Sequence, residues 1–310
     1  MRKVTCHQVD EGRIEQALQS IWVRTVHRWH PLRHDSLHLR GLRELRDELL
    51  DHVAARTLDD PLHGMHPPLT VLITAAECAL GELSLGAFPD GDFEIPLPLI
   101  DETLSSESVS FDESQDPAHR AATARTWLDA FALSVISGVI WERSRVIGPL
   151  LQVDYAPAIR NGVPYSRYES TSDPADLAEM DALCDYLNVM TGPRPGAVPG
   201  PVPLRKPEPE ERERAARRLD EAGASTPDQR LLRVLLDDDQ ESFEEALADR
   251  LAEHRENAGP DAHPRSLLPL GPLTLAALAS LAHGWQPGVR SRYLPEAVLR
   301  VPQQYAAPDV

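Results

Sequence analysis

Four histidines near the N-terminus have the type and spacing that come closest to a metal site. His27, His30, His34 and His38 recur every three or four residues, and histidines at i and i+4 can share a metal ion from one helix face. Pro31 is expected to end the helix between these pairs. The neighbouring arginines add unfavourable positive charge: Arg24, Arg28 and Arg33. We therefore predict no metal here and interpret the segment as a solvated or partner-contacting patch.

Acidic clusters are the second candidate for metal chemistry. The run Asp237–Asp239 could offer oxygen ligands to a divalent cation. It also precedes a predicted helix, where negative charge stabilises the helix N-terminus. Asp90, Asp92 and Glu94 resemble the start of a calcium loop, but Ile95 stands where such a loop requires glycine. Neither cluster predicts a metal site.

No pattern in the sequence predicts catalysis. Ser137 and Gly138 lie in a helical pattern without the glycine that a nucleophile elbow needs two residues before its serine. No glycine-rich phosphate loop or dinucleotide fingerprint occurs. Cys6, Cys78 and Cys184 are far apart and odd in number, which fits reduced thiols and not a disulfide framework. We predict no catalytic residue and no cofactor, so the chain fits a binding protein better than an enzyme.

Length and total charge exclude several classes of protein. The 310 residues suffice for one large domain or two modest ones. A net charge of -18 argues against a nucleic-acid binder, which needs a basic face. The N-terminus lacks the apolar core of a signal peptide, and no apolar run is expected to span a membrane. These features predict a cytoplasmic protein.

The negative charge is concentrated in the middle of the chain. Residues 1–60 hold 10 basic and 10 acidic side chains, residues 61–190 hold 6 and 20, and residues 191–310 hold 15 and 19. Such a run is typical of a solvated surface. It is also what recognition of an electropositive partner requires, because a focused negative field accelerates encounter. Both interpretations stay open at this point.

Apolar spacing predicts a mostly all-α fold, with antiparallel helical hairpins packed in layers and short extended segments. The predicted helices cover residues 10–30, 36–53, 69–83, 121–140, 177–190, 226–235, 242–258 and 271–283. Ser36, Thr226 and Ser242 are the expected N-caps of three of them. Residues 93–101 are predicted to be extended and not a central strand, because Pro96 and Pro98 lack donors.

A proline- and glycine-rich stretch divides the chain. Residues 192–210 contain seven prolines, which favours a stiff extended linker or a surface insertion. We therefore predict three parts. They are an N-terminal helical region with the acidic middle (1–190), the linker or insertion (191–210), and a C-terminal helical region (211–310).

The C-terminal third carries a family resemblance. In this order, Ser242–His254, Pro264–His283 and Val289–Pro295 resemble the immunity protein 49 family of bacterial polymorphic toxin systems. Ile95–Asp101 and Trp127–Phe131 also resemble that family. The matching segments are helix-packing patterns without a catalytic signature.

The resemblance implies a mostly α-helical bacterial immunity protein made beside a cognate protein toxin. It would bind and neutralise that toxin in the producing cell's cytoplasm without catalysis. From the charge and the apolar runs described above, we expect no nucleic-acid or membrane partner. Toxins of these systems include nucleases with basic grooves, which an acidic surface would fit. Two alternatives remain: a helical scaffold or adaptor without a toxin partner, and a metal-dependent hydrolase that uses the histidine-rich segment.

Charge alone selects the candidate partner-binding residues. They belong to the acidic middle and to the acidic run between two C-terminal helices. The eight candidates are Asp90, Asp92, Glu94, Asp101, Glu102, Asp237, Asp238 and Asp239.

Overall fold

The computed structural model describes residues 2–59, 66–108, 121–162, 171–188, 202–286 and 288–300. It confirms the predicted mostly all-α fold. The helices are α1 (Glu11–Leu18), α2 (Ile21–His34), α3 (Leu39–Asp59), α4 (His66–Ala87), α5 (Ala124–Ser137), α6 (Val139–Glu142), α7 (Ile147–Pro149), α8 (Ala156–Asn161), α9 (Pro174–Cys184), α10 (Pro209–Ala222), α11 (Pro227–Leu236), α12 (Gln240–Asn257) and α13 (Leu270–Leu281). Leu150–Tyr155 forms a π-helical stretch, and short 3₁₀ turns cover Ser106–Ser108, Pro264–Leu267 and Glu296–Leu299.

Two small sheets accompany the helices in the described residues. Strand β1 (Arg2–Val4) pairs in parallel with β4 (Val289–Ser291), so the first described residues lie beside a segment from the C-terminal region. Strand β2 (Glu94–Leu97) pairs with β3 (Glu102–Ser105) as an antiparallel hairpin. The expected extended segment at 93–101 is therefore half of a hairpin that packs on α4.

The centre of the fold is the run of helices α3, α4 and α5, which pack in sequence order. Within α4, the segment Leu69–Ala87 is long and apolar enough to cross a membrane, with a mean hydropathy of 1.4. This finding corrects the expectation that the chain has no such segment. Of that stretch, 83% is buried inside the protein. Packing between α3 and α5 thus accounts for its apolar composition.

One hydrophobic cluster includes buried residues from Val4 to Leu299. Helix α5 contacts α13, and α9 contacts α10, so elements on both sides of the proline-rich stretch share this core. Residues 192–201 of that stretch lie outside the described residues. The division into regions 1–190 and 211–310 stays a prediction.

The prediction of a single N-terminal helix over residues 10–30 is wrong in its number of helices and in its C-terminal end. The structure has two helices there, because the chain breaks at Gln19 and Ser20, and α2 continues through Pro31 to His34. Proline lacks the N–H that would reach the His27 carbonyl. Both residues are exposed, so water can satisfy that carbonyl and the last turn survives.

Of the three N-cap residues predicted from the sequence, the structure confirms one and replaces two. The Thr226–Gln229 capping box of α11 is confirmed. Ser242 is not the cap of α12; Asp239 is, and Ser242 donates its hydroxyl hydrogen to that carboxylate. At α3, the Nδ1 atom of His38 accepts a hydrogen bond from the Gly41 N–H at 2.8 Å, a capping role that the sequence assigned to Ser36.

Candidate functional site

The first group of predicted site residues lies on the β2–β3 hairpin and the turn before it. Ile95, Leu97 and Leu104 are buried, whereas Glu94 lies on the other face and Glu102 lies beside the hairpin turn, both exposed. The alternation of side chains along a strand produces this division. The hairpin therefore holds carboxylates in solvent by burying its apolar residues in the core.

Close packing fixes this hairpin on α4. A Cβ at Gly81 would lie 2.5 Å from Cδ1 of Ile95, so only glycine lets the strand approach this closely. The Leu99 N–H donates a hydrogen bond to Thr74 Oγ1 at 3.1 Å. Asp101, at the turn, has a φ of +56°, a left-handed conformation that aspartate tolerates better than most residues. The carboxylates are thus presented on an anchored support.

Proline at position 96 fits the hairpin because of its register. The Ser106 N–H donates to the Phe93 carbonyl at 2.9 Å, which makes these two residues a hydrogen-bonded pair. Bonded and non-bonded pairs alternate along an antiparallel ladder, so Pro96, opposite Thr103, falls at a non-bonded position. Its missing N–H costs the hairpin no hydrogen bond.

The five carboxylates of this region define the acidic hairpin surface: Asp90, Asp92, Glu94, Asp101 and Glu102. All five are exposed. Among the residues that the structure describes, none of the five forms an ion pair or a side-chain hydrogen bond. No described residue neutralises their charge, which is therefore available to a partner.

Glu107 is a further member of this region that the sequence prediction missed. It is exposed in the 3₁₀ turn after β3, and within the described chain its carboxylate has no ion pair. A sequence signal for it exists: no lysine or arginine occurs between Arg56 and Arg120, an interval that contains 13 acidic residues. The absence of basic residues marks this acidic surface more sharply than the acidic residues alone.

The second predicted group, Asp237–Asp239, is placed differently because each carboxylate has an internal partner. Asp237 pairs with Arg233 one turn earlier on α11. Asp239 accepts a hydrogen bond from the Glu241 N–H at 3.1 Å and caps α12. This agrees with the helix-N-terminus interpretation of the run. No hydrogen bond or ion pair among the described residues joins this group to the acidic hairpin surface.

Asp238 is the centre of a polar network. Its carboxylate lies 2.6 Å from Lys206 Nζ, 3.0 Å from Arg212 Nη2 and 2.9 Å from His283 Nδ1. Burial alone would raise the pKa of Asp238, but the hydrogen bonds from Lys206 and His283 and the charge of Arg212 outweigh it, and the pKa lies below its ordinary value. Asp238 is therefore ionised and serves the fold.

The side chain of His283 is buried in this network, and its tautomer follows from its partners. Burial lowers the pKa of His283 despite Asp238, so the ring is neutral at neutral pH. The carboxylate can only accept, so Nδ1 carries the hydrogen. Nε2 then accepts from the Tyr186 hydroxyl at 2.9 Å. The network joins the segment between α9 and α10, and α10 itself through Arg212, to the residues that follow α11 and α13.

Replacing Asp238 by asparagine should lower the free energy of unfolding by about 1–3 kcal/mol. Asparagine tolerates the backbone φ of +61°, but it removes the negative charge that Lys206 and Arg212 contact. Urea unfolding measures the change. Asp237→Asn is the matched control, since its exposed pair with Arg233 should contribute at most about 1 kcal/mol. Equal losses in the two variants would contradict a structural role specific to Asp238.

The histidine-rich segment and the cysteines show no assembled metal centre. His27, His30 and His34 are exposed on α2, while His38 is occupied in capping α3. Among the described residues, no group of three or more histidine, cysteine, aspartate or glutamate side chains converges to hold a metal ion. The cysteines are free thiols.

Comparison with known protein families identifies this chain's relatives. The family model described as immunity protein 49 matches residues 69–298, most of the chain. The chain belongs to the immunity protein 49 family. No curated protein and no solved structure matches it.

The immunity protein 49 match confirms the resemblance predicted from the sequence, and it is informative in its extent. It begins within α4 and ends in the last 3₁₀ turn, so it includes the acidic hairpin surface and the Asp238 network. It excludes α2 with its histidines. Proteins of the immunity protein 49 family are generally non-catalytic.

Proposed function

We propose that this member of the immunity protein 49 family binds and neutralises a cognate polymorphic toxin in the cytoplasm of the bacterium that produces both. The acidic hairpin surface is the proposed recognition surface. The observation that carries this proposal is that its five carboxylates are exposed and, within the described chain, have no internal cation. Family membership supports an immunity role, and the free cysteines fit a reducing compartment.

The charge of this surface indicates the kind of toxin surface that it fits. A negative patch that forms no ion pair within the described part of the chain attracts a basic face, and such complementarity increases the association rate more than it increases affinity. A nuclease toxin with a basic substrate groove has such a face. Occupying that groove would block its substrate without any chemistry by the immunity protein. The role of Asp237–Asp239 in binding stays a prediction. Their carboxylates already form ion pairs or cap α12 within the protein, so they are less available to a toxin.

A charge-reversal experiment tests this proposal. The variant Asp92→Lys/Glu94→Lys/Glu102→Lys should associate about 10–100-fold more slowly with the toxin encoded beside it, because steering is lost. The loss should shrink as salt is added, since salt screens exposed charges. Association rates at several ionic strengths, measured by surface plasmon resonance, give both quantities.

The matched control carries the same change in net charge elsewhere. Glu210→Lys/Glu221→Lys/Asp249→Lys alters three exposed carboxylates that have no ion pair among the described residues. It should associate nearly as fast as the wild type. Equal slowing in both variants would show that only total charge matters. A protein that binds no adjacent toxin, but forms a stable complex with another cellular protein, would support the alternative of a helical scaffold or adaptor.

A further inference from the structure

Helix α2 brings two histidines of the N-terminal segment together in a way that the sequence did not predict. Because α2 runs through Pro31, His30 and His34 stand one turn apart on an unbroken helix. Their ring centroids are 4.6 Å apart, with an angle of 49° between the ring planes. Both side chains are exposed. One of the two reasons for excluding metal from this pair, a helix break at Pro31, is therefore removed.

We propose that His30 and His34 form a two-imidazole site for a divalent late first-row transition metal ion. Imidazole nitrogens suit Cu²⁺, Ni²⁺ and Zn²⁺. Metal–nitrogen bonds of ~2.0–2.1 Å place two nitrogens on one ion ~3 Å apart. Two rings whose centres are 4.6 Å apart reach that spacing by small side-chain rotations. This site has two protein ligands. It is therefore compatible with the finding that no three possible metal ligands converge among the described residues.

The surrounding charges oppose this site less than the sequence indicates. Arg28 is paired with Glu44 at 2.9 Å and Glu48 at 3.2 Å on α3, so its charge is directed away and partly neutralised. Arg24 is likewise paired with Glu48 at 3.2 Å. Of the three arginines, Arg33 alone has no ion pair among the described residues, and its positive charge still opposes the site. Two protein ligands leave the remaining coordination positions to water or to a donor atom from a bound partner.

Trp29 supplies a specific optical signal for this site. Its ring contacts His34 edge-on at 5.8 Å and His30 at 6.4 Å between centroids. A Cu²⁺ ion held by the two imidazoles would lie close enough to quench the fluorescence of this tryptophan. Replacement by phenylalanine should remove that quenching and leave binding intact.

The test is a Cu²⁺ titration of the full chain after treatment with a chelator, followed by calorimetry and tryptophan fluorescence. The wild type should bind one more ion per chain than His30→Gln/His34→Gln, and Mn²⁺ should bind far more weakly than Cu²⁺, as the Irving–Williams order requires. His263→Gln, which removes an exposed histidine elsewhere, should bind like the wild type. Trp29→Phe should keep the calorimetric signal and lose the quenching.

Two results would overturn the proposal. One is equal Cu²⁺ stoichiometry in the wild type and in the double histidine variant. The other is quenching that persists in Trp29→Phe, because the ion would then be bound near another tryptophan. Circular dichroism of the double variant checks that the helix content is unchanged, so that lost binding cannot be ascribed to lost structure.

Discussion

Replacing Arg46 by methionine should lower the free energy of unfolding by up to about 3–5 kcal/mol, because among the described residues the buried Glu82 then keeps only Arg43 as a counter-charge and Asp129 loses its ion pair. Arg46 lies on α3, and its guanidinium is 3.2 Å from Glu82 on α4, 3.2 Å from Asp129 on α5 and 3.0 Å from Asp47. Glu82 is only 3% exposed. One arginine thus joins the three helices at the centre of the fold.

Urea unfolding of three variants separates the buried pair from an ordinary surface pair. Arg46→Met/Glu82→Met should recover much of the stability that Arg46→Met loses, since the buried carboxylate is removed together with its partner. Arg43 and Asp129 also lose a partner in this variant, but about a third of each side chain is exposed to solvent, at 34% and 36%. Arg28→Met, which breaks the exposed pairs with Glu44 and Glu48, should cost at most about 1 kcal/mol. A double variant as unstable as the single one would show that Arg46 acts through packing.

The pH dependence of Arg46→Met follows from the same geometry. Burial raises the pKa of Glu82, although Arg46 and Arg43 pull it down. Without Arg46, that pKa should rise further. A carboxyl whose pKa is higher in the folded than in the unfolded state binds more protons when folded, so its contribution to stability increases as pH falls. The deficit of Arg46→Met should therefore narrow on acidification from pH 8 to pH 5.

The Arg46 network shows where sequence reasoning stops. Apolar spacing predicts α3, α4 and α5, because each helix is defined by residues three or four positions apart. The ion pairs between these helices join residues distant in sequence. Spacing along α3 would pair Arg43 with Asp47, but the structure pairs Arg43 with Glu82. Asp47 and Asp51 contact Arg265. Only tertiary packing determines these choices.

At the candidate site, too, the sequence does not reveal contacts between residues that are distant along the chain. The sequence identifies which residues are acidic, and it places the candidates in an acidic middle region and in a run between two C-terminal helices. It cannot distinguish the unpaired carboxylates of the hairpin from Asp238, since Lys206, Arg212 and His283 reach Asp238 only in the folded chain. The same holds for Pro31: proline usually ends a helix, but an exposed final turn tolerates it.

Glu179 should give the second large effect, and its sign is opposite to that of Arg46. Glu179 lies on α9 and is 6% exposed, and its Oε2 atom has no hydrogen-bond partner. Burial raises its pKa to about 7; Asp228 and Asp176 add to the rise, while Arg125 and Gln229 oppose it. At neutral pH the fold therefore bears the cost of a carboxylate that is poorly solvated and incompletely paired.

Glu179→Gln should raise the free energy of unfolding above pH 7 by up to roughly 3 kcal/mol, the value of a pKa shift from 4.5 to about 7. The wild type binds more protons at this site when folded, so this contribution is complete below pH 4.5 and is lost as pH rises through 7. The stability difference between Glu179→Gln and the wild type should therefore grow from pH 5 to pH 8. Urea unfolding at four pH values measures it, with the exposed Glu221→Gln as control. A difference that does not change with pH would show that Glu179 titrates normally and that Arg125 compensates its burial.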